Sequence, residues 1–559
     1  MPRPALLGQL ALLATACTSG TPGGSFVFDA GTPPPPPDAT VRFRDAATPD
    51  AGGEIDAALL DAGAPEAASW EAASIYLLMV DRFADGAPDP DPADDPCFDP
   101  ANPRRFHGGD LVGLRARLDY LQALGVDTLW VTPLTRQIGL RGEECGYHGY
   151  WTDATAPDDG ALEPRLGTDE DLHALLDDLH ARGMRLILDM VVNHPGYDAP
   201  VTRSHPAWFH PVDGCERLGD PDQTCPLARL PDYDQDVPEV ADYLTAQSLG
   251  WLARFDVDGV RMDTVKHVPL SFFADRWIPA VRDARGADLY LLGELFDEGA
   301  YATQRPYLDA GFDGLFDFRL RRALVDGLGR DGTLDAVAVR VAEAVRELGP
   351  ERARLRSLFL ENHDVPRYAT EIQAPTPELA VARQRLAIGV LMTTPGIPQL
   401  YAGGELGMAG AWPDNRRDFP AWGFDPSSRG PREGYLGDPA DTFALTHDLL
   451  ALRRELPALH AGGYAELWRP GGSGVPLYAF VRDHGDAPVV VTMSTGEVRQ
   501  RLPIRTNPGL DAATQAALVD GTVLEDRLGR ATGARAVVVD GELEVELPAH
   551  AVAVWALPR

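Results

Sequence analysis

Gly259-Val260-Arg261-Met262-Asp263-Thr264-Val265-Lys266-His267 compresses a short apolar run, an arginine, an acid and the chain's only lysine into nine residues. An amphipathic helical stretch from Val240 to Phe255 precedes it. Helix, short buried strand and polar turn at the strand's C-terminal end is the texture of one βα unit. The same texture recurs outward in both directions. Candidate strands run from Ile75 to Val80, Thr128 to Thr132, Arg185 to Val192, Gly259 to Asp263, Leu289 to Glu294, Gly314 to Phe318, Ser357 to Glu361 and Gln399 to Ala402, with helical patterns such as Leu111 to Leu124, Asp169 to Arg182 and Pro377 to Met392 between them. Eight units over nearly 400 residues predict an α/β fold, a (β/α)8 TIM barrel with insertions.

The boundaries follow from changes of texture. Residues 70–192 and 237–460 form the expected barrel, and 193–236, an irregular stretch after strand 3, an inserted domain. A loop of that size is more often functional than idle. Residues 461–559 carry short alternating runs, among them Val475 to Val481, Pro488 to Met493 and Ala551 to Ala556, which predict an antiparallel β-sandwich.

The first 69 residues have another character. Arg3 and an apolar run to Ala16 read as a signal peptide, residues 1–16. Leu13-Ala14-Thr15-Ala16-Cys17 resembles a bacterial lipoprotein box, so export with a lipid anchor at Cys17, in the cell envelope, or export with plain release, is expected. Residues 17–69, rich in Pro, Ala and Asp, read as a disordered linker. No other stretch has the length and apolarity of a membrane span.

A formal charge of −34, from 84 acidic against 50 basic residues, argues against nucleic acid and anionic membrane surfaces as partners and leaves neutral ligands or cations. Besides Cys17 there are four cysteines, an even number that in an exported chain favours disulfides over zinc. Cys215 and Cys225 close a short polar loop, and pairing them leaves Cys97 with Cys145, one of three possible connectivities.

Barrel active sites lie at the C-terminal ends of the strands. Strand 3 ends in Asp189-Met-Val-Val-Asn193-His194, strand 4 in Asp263-Thr-Val-Lys266-His267, strand 5 in Gly293-Glu294-Leu295 and strand 7 in Glu361-Asn362-His363-Asp364. Asp263, Glu294 and Asp364 thus converge on one mouth. Converging carboxylates repel one another and lose solvation, which perturbs their acidity. Cleavage of a glycosidic bond uses that arrangement: one carboxylate attacks the anomeric carbon while another, kept protonated, hands its proton to the leaving oxygen. Arg261, two residues before Asp263 on the same strand face, is placed to keep the nucleophile ionised.

These strings resemble the α-amylase family of glycoside hydrolases over roughly 390 residues, from Asp81-Arg82-Phe83 to Gly396-Ile-Pro-Gln-Leu-Tyr401, and true α-amylases in particular. The resemblance implies Asp263 as nucleophile, Glu294 as acid/base and Asp364 as transition-state stabiliser. It places Arg261, His194, His363, His148, Tyr150 and Trp151 around the sugar at the cleavage point, and Lys266 and His267 on glucose units of the leaving-group side. It also implies calcium, held by Asn193, Asp232 and the His267 carbonyl, and a second calcium at Asp85, Asp91, the Gly108 carbonyl and Asp110, where Ala87 and Pro90 depart from the family pattern. Arg416 carries over as a sugar ligand. Trp412 stands where many relatives have Asp, and Asp414 is the acid that could replace it. The expected activity is hydrolysis of α-1,4-glucan by a monomer. A transglycosylase or neopullulanase of the same family is the nearest alternative, and a non-catalytic glucan-binding barrel the alternative from another class.

Overall fold

Strands β1 (Ile75–Leu78), β2 (Thr128–Val131), β3 (Arg185–Met190), β4 (Gly259–Met262), β5 (Tyr290–Gly293), β6 (Gly314–Leu315), β7 (Ser357–Phe359) and β8 (Ile397–Tyr401) pair in parallel in the order β6-β5-β4-β3-β2-β1-β8-β7. A parallel bridge between Phe316 and Ser357 joins the two ends, closing the barrel the βα repeat predicts. Nearly every strand residue is buried because helices cover the outside and side chains fill the inside, which is why these strands read as continuous apolar runs. The computed structural model describes residues 69–88, 94–154, 160–471, 474–485 and 487–558. The expected signal peptide, Cys17 and nearly all of the expected linker, residues 17–68, lie outside these.

The helices begin where the local chemistry dictates. Thr168 and Asp171 form a reciprocal capping box on Asp169–Ala181, and Thr376 caps Pro377–Thr393, whose proline occupies the first turn where no N–H is needed. Two expectations are corrected. The sixth strand stops at Leu315 rather than Phe318, because the Asp317 carboxylate accepts the Leu320 N–H at 2.9 Å and starts a helix over Phe318–Ala323. The helical stretch 111–124 is two helices, Leu111–Arg115 and Leu118–Leu124.

Behind the barrel, β9 (Ala465–Trp468), β10 (Leu477–Arg482), β11 (Val489–Ser494), β12 (Val498–Pro503), β13 (Val523–Asp526), β14 (Arg535–Val539), β15 (Glu542–Leu547) and β16 (Val552–Ala556) are antiparallel, in the order β12-β15-β14-β13-β16-β11-β10-β9. The two-residue period divides β10 cleanly. Ala479 and Val481 face a core shared with Leu502 and Leu543, while Tyr478 and Phe480 join the barrel core. Gly389, in the helix Pro377–Thr393, is needed at that contact: a Cβ there would lie 2.5 Å from Val552 Cγ2.

The cysteines pair Cys97 with Cys145 and Cys215 with Cys225, at Cα separations of 5.7 and 5.1 Å. No described helix is long and apolar enough to cross a membrane.

Candidate active site

Arg261 is the hub of the barrel mouth. It is fully buried on β4, and its Nη1 donates to Asp189 Oδ1 at 2.9 Å and Asp263 Oδ1 at 2.7 Å, while Nη2 lies 2.9 Å from Glu294 Oε2. The barrel register produces this. Asp189 on β3 is paired with Arg261 on β4, and Met262 with Gly293 on β5, so Asp263 and Glu294 leave adjacent strands at the same height. One guanidinium cannot neutralise three acids, and the proton inventory adjusts. Burial, reinforced by Asp263 and Asp364, pushes the Glu294 carboxyl up to about 8 despite Arg261. Burial also pushes Asp189 up to about 7, although it accepts from Tyr150 Oη at 2.8 Å and Trp130 Nε1 at 3.0 Å.

Thr264 follows Asp263 with φ +46°, a left-handed conformation that a β-branched residue adopts only under constraint. The strained turn aims the Thr264 N–H at Glu294 Oε2, 3.0 Å away. Oε2 therefore accepts the Thr264 N–H and is the oxygen facing Arg261, so the proton of the neutral acid belongs on Oε1.

Asp364, more open than its partners, faces them from beyond β7. Desolvation raises its pKa, but His363, Arg416 and Arg261 outweigh this and hold the carboxyl below the usual range. Arg416 donates to Asp364 Oδ1 at 2.9 Å and to the His363 carbonyl at 2.7 Å. Its acidic partner is Asp364, not Asp414, and the exposed Trp412 ring covers it at 4.6 Å. Glu361, in the same string, pairs at 2.9 Å with Arg367 and is not in the site.

Tyr150 stacks on His363, with ring centroids 5.2 Å apart, and on His148, whose Nδ1 accepts the Tyr150 N–H. Trp151 meets His148 edge-on. Burial lowers the pKa of His148, His194 and His363, the last to about 4, which favours neutral rings suited to hydroxyl groups rather than anions. The buried His194 Nε2 and His363 Nδ1 have no protein partner, as expected of groups awaiting a polar ligand.

Asn193 Oδ1 is likewise buried without a partner. The Tyr233 N–H bonds to the Asn193 carbonyl at 2.9 Å, which brings Asp232 alongside, and Asp232 is buried with one oxygen held by His210. An orphaned carbonyl oxygen beside a buried carboxylate is a donor set for a hard cation. The second loop differs. Asp110 uses both carboxylate oxygens on the N–H groups of Gly113, Gly86 and Ala87, the cap of Leu111–Arg115 among them, and Asp91 lies outside the described residues. Among the described residues, the cluster of Cys215, Glu216 and Cys225 has metal-like spacing, but its sulfurs form a disulfide.

Lys266 pairs with Asp222 Oδ2 at 2.8 Å, and His267 Nδ1 bonds to the Asp222 carbonyl at 2.7 Å. Sequence reasoning missed Asp222 and Asp189. Asp189 left a signal, a lone acid inside the apolar run Leu186–Met190, whereas Asp222 is 44 residues upstream of Lys266 and left none.

Comparison with known proteins agrees with this geometry. The family profile described as "Alpha amylase, catalytic domain" matches residues 77–207 and 224–433. The chain is 28% identical over 443 residues to the beta/alpha-amylase of Paenibacillus polymyxa, covering 75% of this chain but only a third of that protein's length. It is 27% identical over 489 residues to the cyclomaltodextrin glucanotransferase of Klebsiella oxytoca, covering 76% of this chain and 70% of that one. The crystal structure of an alpha-amylase from Geobacillus thermoleovorans, complexed with acarbose, superposes with a TM-score of 0.71 at 28% identity, over 88% of this chain and 99% of that one.

Proposed function

The chain belongs to the α-amylase family of glycoside hydrolases, and from that premise we propose that it is a retaining enzyme hydrolysing α-1,4-glucosidic bonds in starch, glycogen or maltooligosaccharides. The observation that carries this reading is the pair formed around Arg261: Asp263, with a guanidinium counter-ion at 2.7 Å, and Glu294, protonated at neutral pH. In the first step Glu294 Oε1 gives its proton to the glycosidic oxygen as the C1–O bond breaks, and an Asp263 oxygen bonds to C1, forming a glycosyl ester. In the second, the Glu294 carboxylate takes a proton from water, whose oxygen attacks C1 and releases Asp263, so the α configuration is kept. Asp364, tied to Arg416, supplies an open carboxylate to hydroxyls of the sugar ring.

Asn193, Asp232 and the His267 carbonyl would hold calcium, which would clamp the inserted residues 193–236 to the barrel beside the site. The two disulfides and the Cys17 string support export. The likeness to a cyclomaltodextrin glucanotransferase supports a second reading, transfer of the glycosyl group to a sugar hydroxyl instead of water. Product profiling on starch, pullulan, cyclodextrin and maltotriose, with the anomer of the first product read by NMR, separates them. Linear α-anomeric maltooligosaccharides from starch support hydrolysis; cyclic products support transfer; a β-anomer, or no turnover of any glucan, refutes the carboxylate assignment.

A further inference from the structure

Within the inserted segment, one residue contacts both Lys266 and His267. Asp222 lies in the single helical turn Pro221–Thr224, inside the loop that the Cys215–Cys225 disulfide closes. Among the bonds that knit the loop, the Asp222 N–H donates to Asp220 Oδ1 at 3.1 Å, and Thr224 Oγ1 donates to the Cys215 carbonyl at 2.9 Å. From this frame the Asp222 side chain grips the chain's only lysine, Oδ2 to Lys266 Nζ at 2.8 Å, and its carbonyl accepts His267 Nδ1 at 2.7 Å. A carbonyl oxygen can only accept, so Nδ1 carries a proton and donates, and Nε2 is left for another partner. The ion pair takes one of the three Lys266 donors and fixes where the others lie, restraining a long side chain that would otherwise lose rotamer entropy on binding. One residue thereby fixes two neighbouring polar side chains, the ammonium of Lys266 and the ring of His267, as partners for neighbouring hydroxyls on a pyranose.

We propose that Asp222, held in place by the Cys215–Cys225 loop, is the positioning residue for the glucose unit on the leaving-group side of the cleaved bond. The inference rests on the α-1,4-glucan reading above. Its scope is narrow: Asp222 acts on the sugar being expelled and not on the carboxylates.

The test compares two substrates in wild type, Asp222→Asn, Asp222→Glu and a Cys215→Ser/Cys225→Ser double variant, with Tm measured for each. Maltoheptaose places glucose on the leaving-group side; 4-nitrophenyl α-maltotrioside cut at the aryl bond places a group there with no pair of hydroxyls. Loss of a charge-assisted contact predicts that Asp222→Asn lowers kcat/KM on maltoheptaose about tenfold, mostly through KM, with a change of about twofold or less on aryl release. Asp222→Glu recovers part of the loss, and the double-serine variant reproduces it. No loss on maltoheptaose, or equal losses on both substrates, overturns the inference and leaves the α-1,4 reading standing. Failure of wild type to turn over either substrate overturns both.

Discussion

The acidity of Glu294 gives the sharpest test of the catalytic assignment. Its carboxyl stands at about 8 because burial disfavours the charge and Asp263 and Asp364 add to the penalty beyond what Arg261 relieves. As general acid it must enter the reaction protonated, so activity is present below that value and lost above it. With a pKa of about 8, about 90% of molecules carry the proton at pH 7 and about 10% at pH 9. On maltoheptaose, kcat/KM should therefore fall about tenfold between those two pH values and about tenfold for each further unit. Maltosyl fluoride, whose leaving group needs no proton, should show no such limb. The assay is initial-rate kinetics from pH 6 to 10 on both substrates, with Tm recorded at each pH. An alkaline limb of the same position and depth on both, or a limb on maltoheptaose near pH 5, would refute the reasoning.

The same shift bears on stability. Because the folded chain holds the Glu294 proton more tightly than a free carboxyl of 4.5 would, the favourable contribution is complete below about 4.5 and is lost as pH rises through about 8. Glu294→Gln should therefore abolish hydrolysis of maltoheptaose yet unfold at a higher Tm than wild type, by a margin that widens from pH 5 to pH 8; a margin shrinking over that range would contradict the burial argument. Trp412→Ala uncovers Arg416, and removing an exposed aromatic platform worth about 0.5 to 1.5 kcal/mol should raise KM about two- to tenfold on long glucans with a smaller effect on maltotriose; an unchanged KM on every chain length would remove Trp412 from the binding surface. Calcium at a hundredfold excess over Kd should stabilise wild type by about 2.7 kcal/mol, read as a rise in Tm that a chelator reverses. In Asn193→Ala, which lacks the orphaned oxygen, most of that rise should be missing. Equal responses of the two proteins would place the ion elsewhere.

Much of this was legible from the chain alone because it is written in short-range patterns. A strand buried on both faces must be a short apolar run, and a barrel's functional groups must stand where such runs end; Asp263, Glu294 and Asp364 satisfy that rule from within their own strings. The lone lysine marked its neighbourhood in the same way. The disulfides also followed from local logic, since a ten-residue separation makes Cys215 and Cys225 natural partners.

What only the tertiary structure decided depends on residues far apart in the chain. The string Glu361-Asn362-His363-Asp364 offers two acids, and nothing local says that the first turns towards Arg367 while the second turns towards Arg416. Arg261 is recognisable as the counter-ion of Asp263, but its simultaneous hold on Asp189 and Glu294 needs three strands in register. The sixth strand ends sooner than its apolar run suggests, because the Asp317 side-chain cap starts a helix there. Asp222 joins Lys266 across 44 residues that include the helix Pro238–Arg254 and β4. Apolar periodicity follows the repeat of the backbone and can be read along a line; the pairing of a buried or half-buried charge is settled by whichever opposite charge the closed fold brings within about 3 Å.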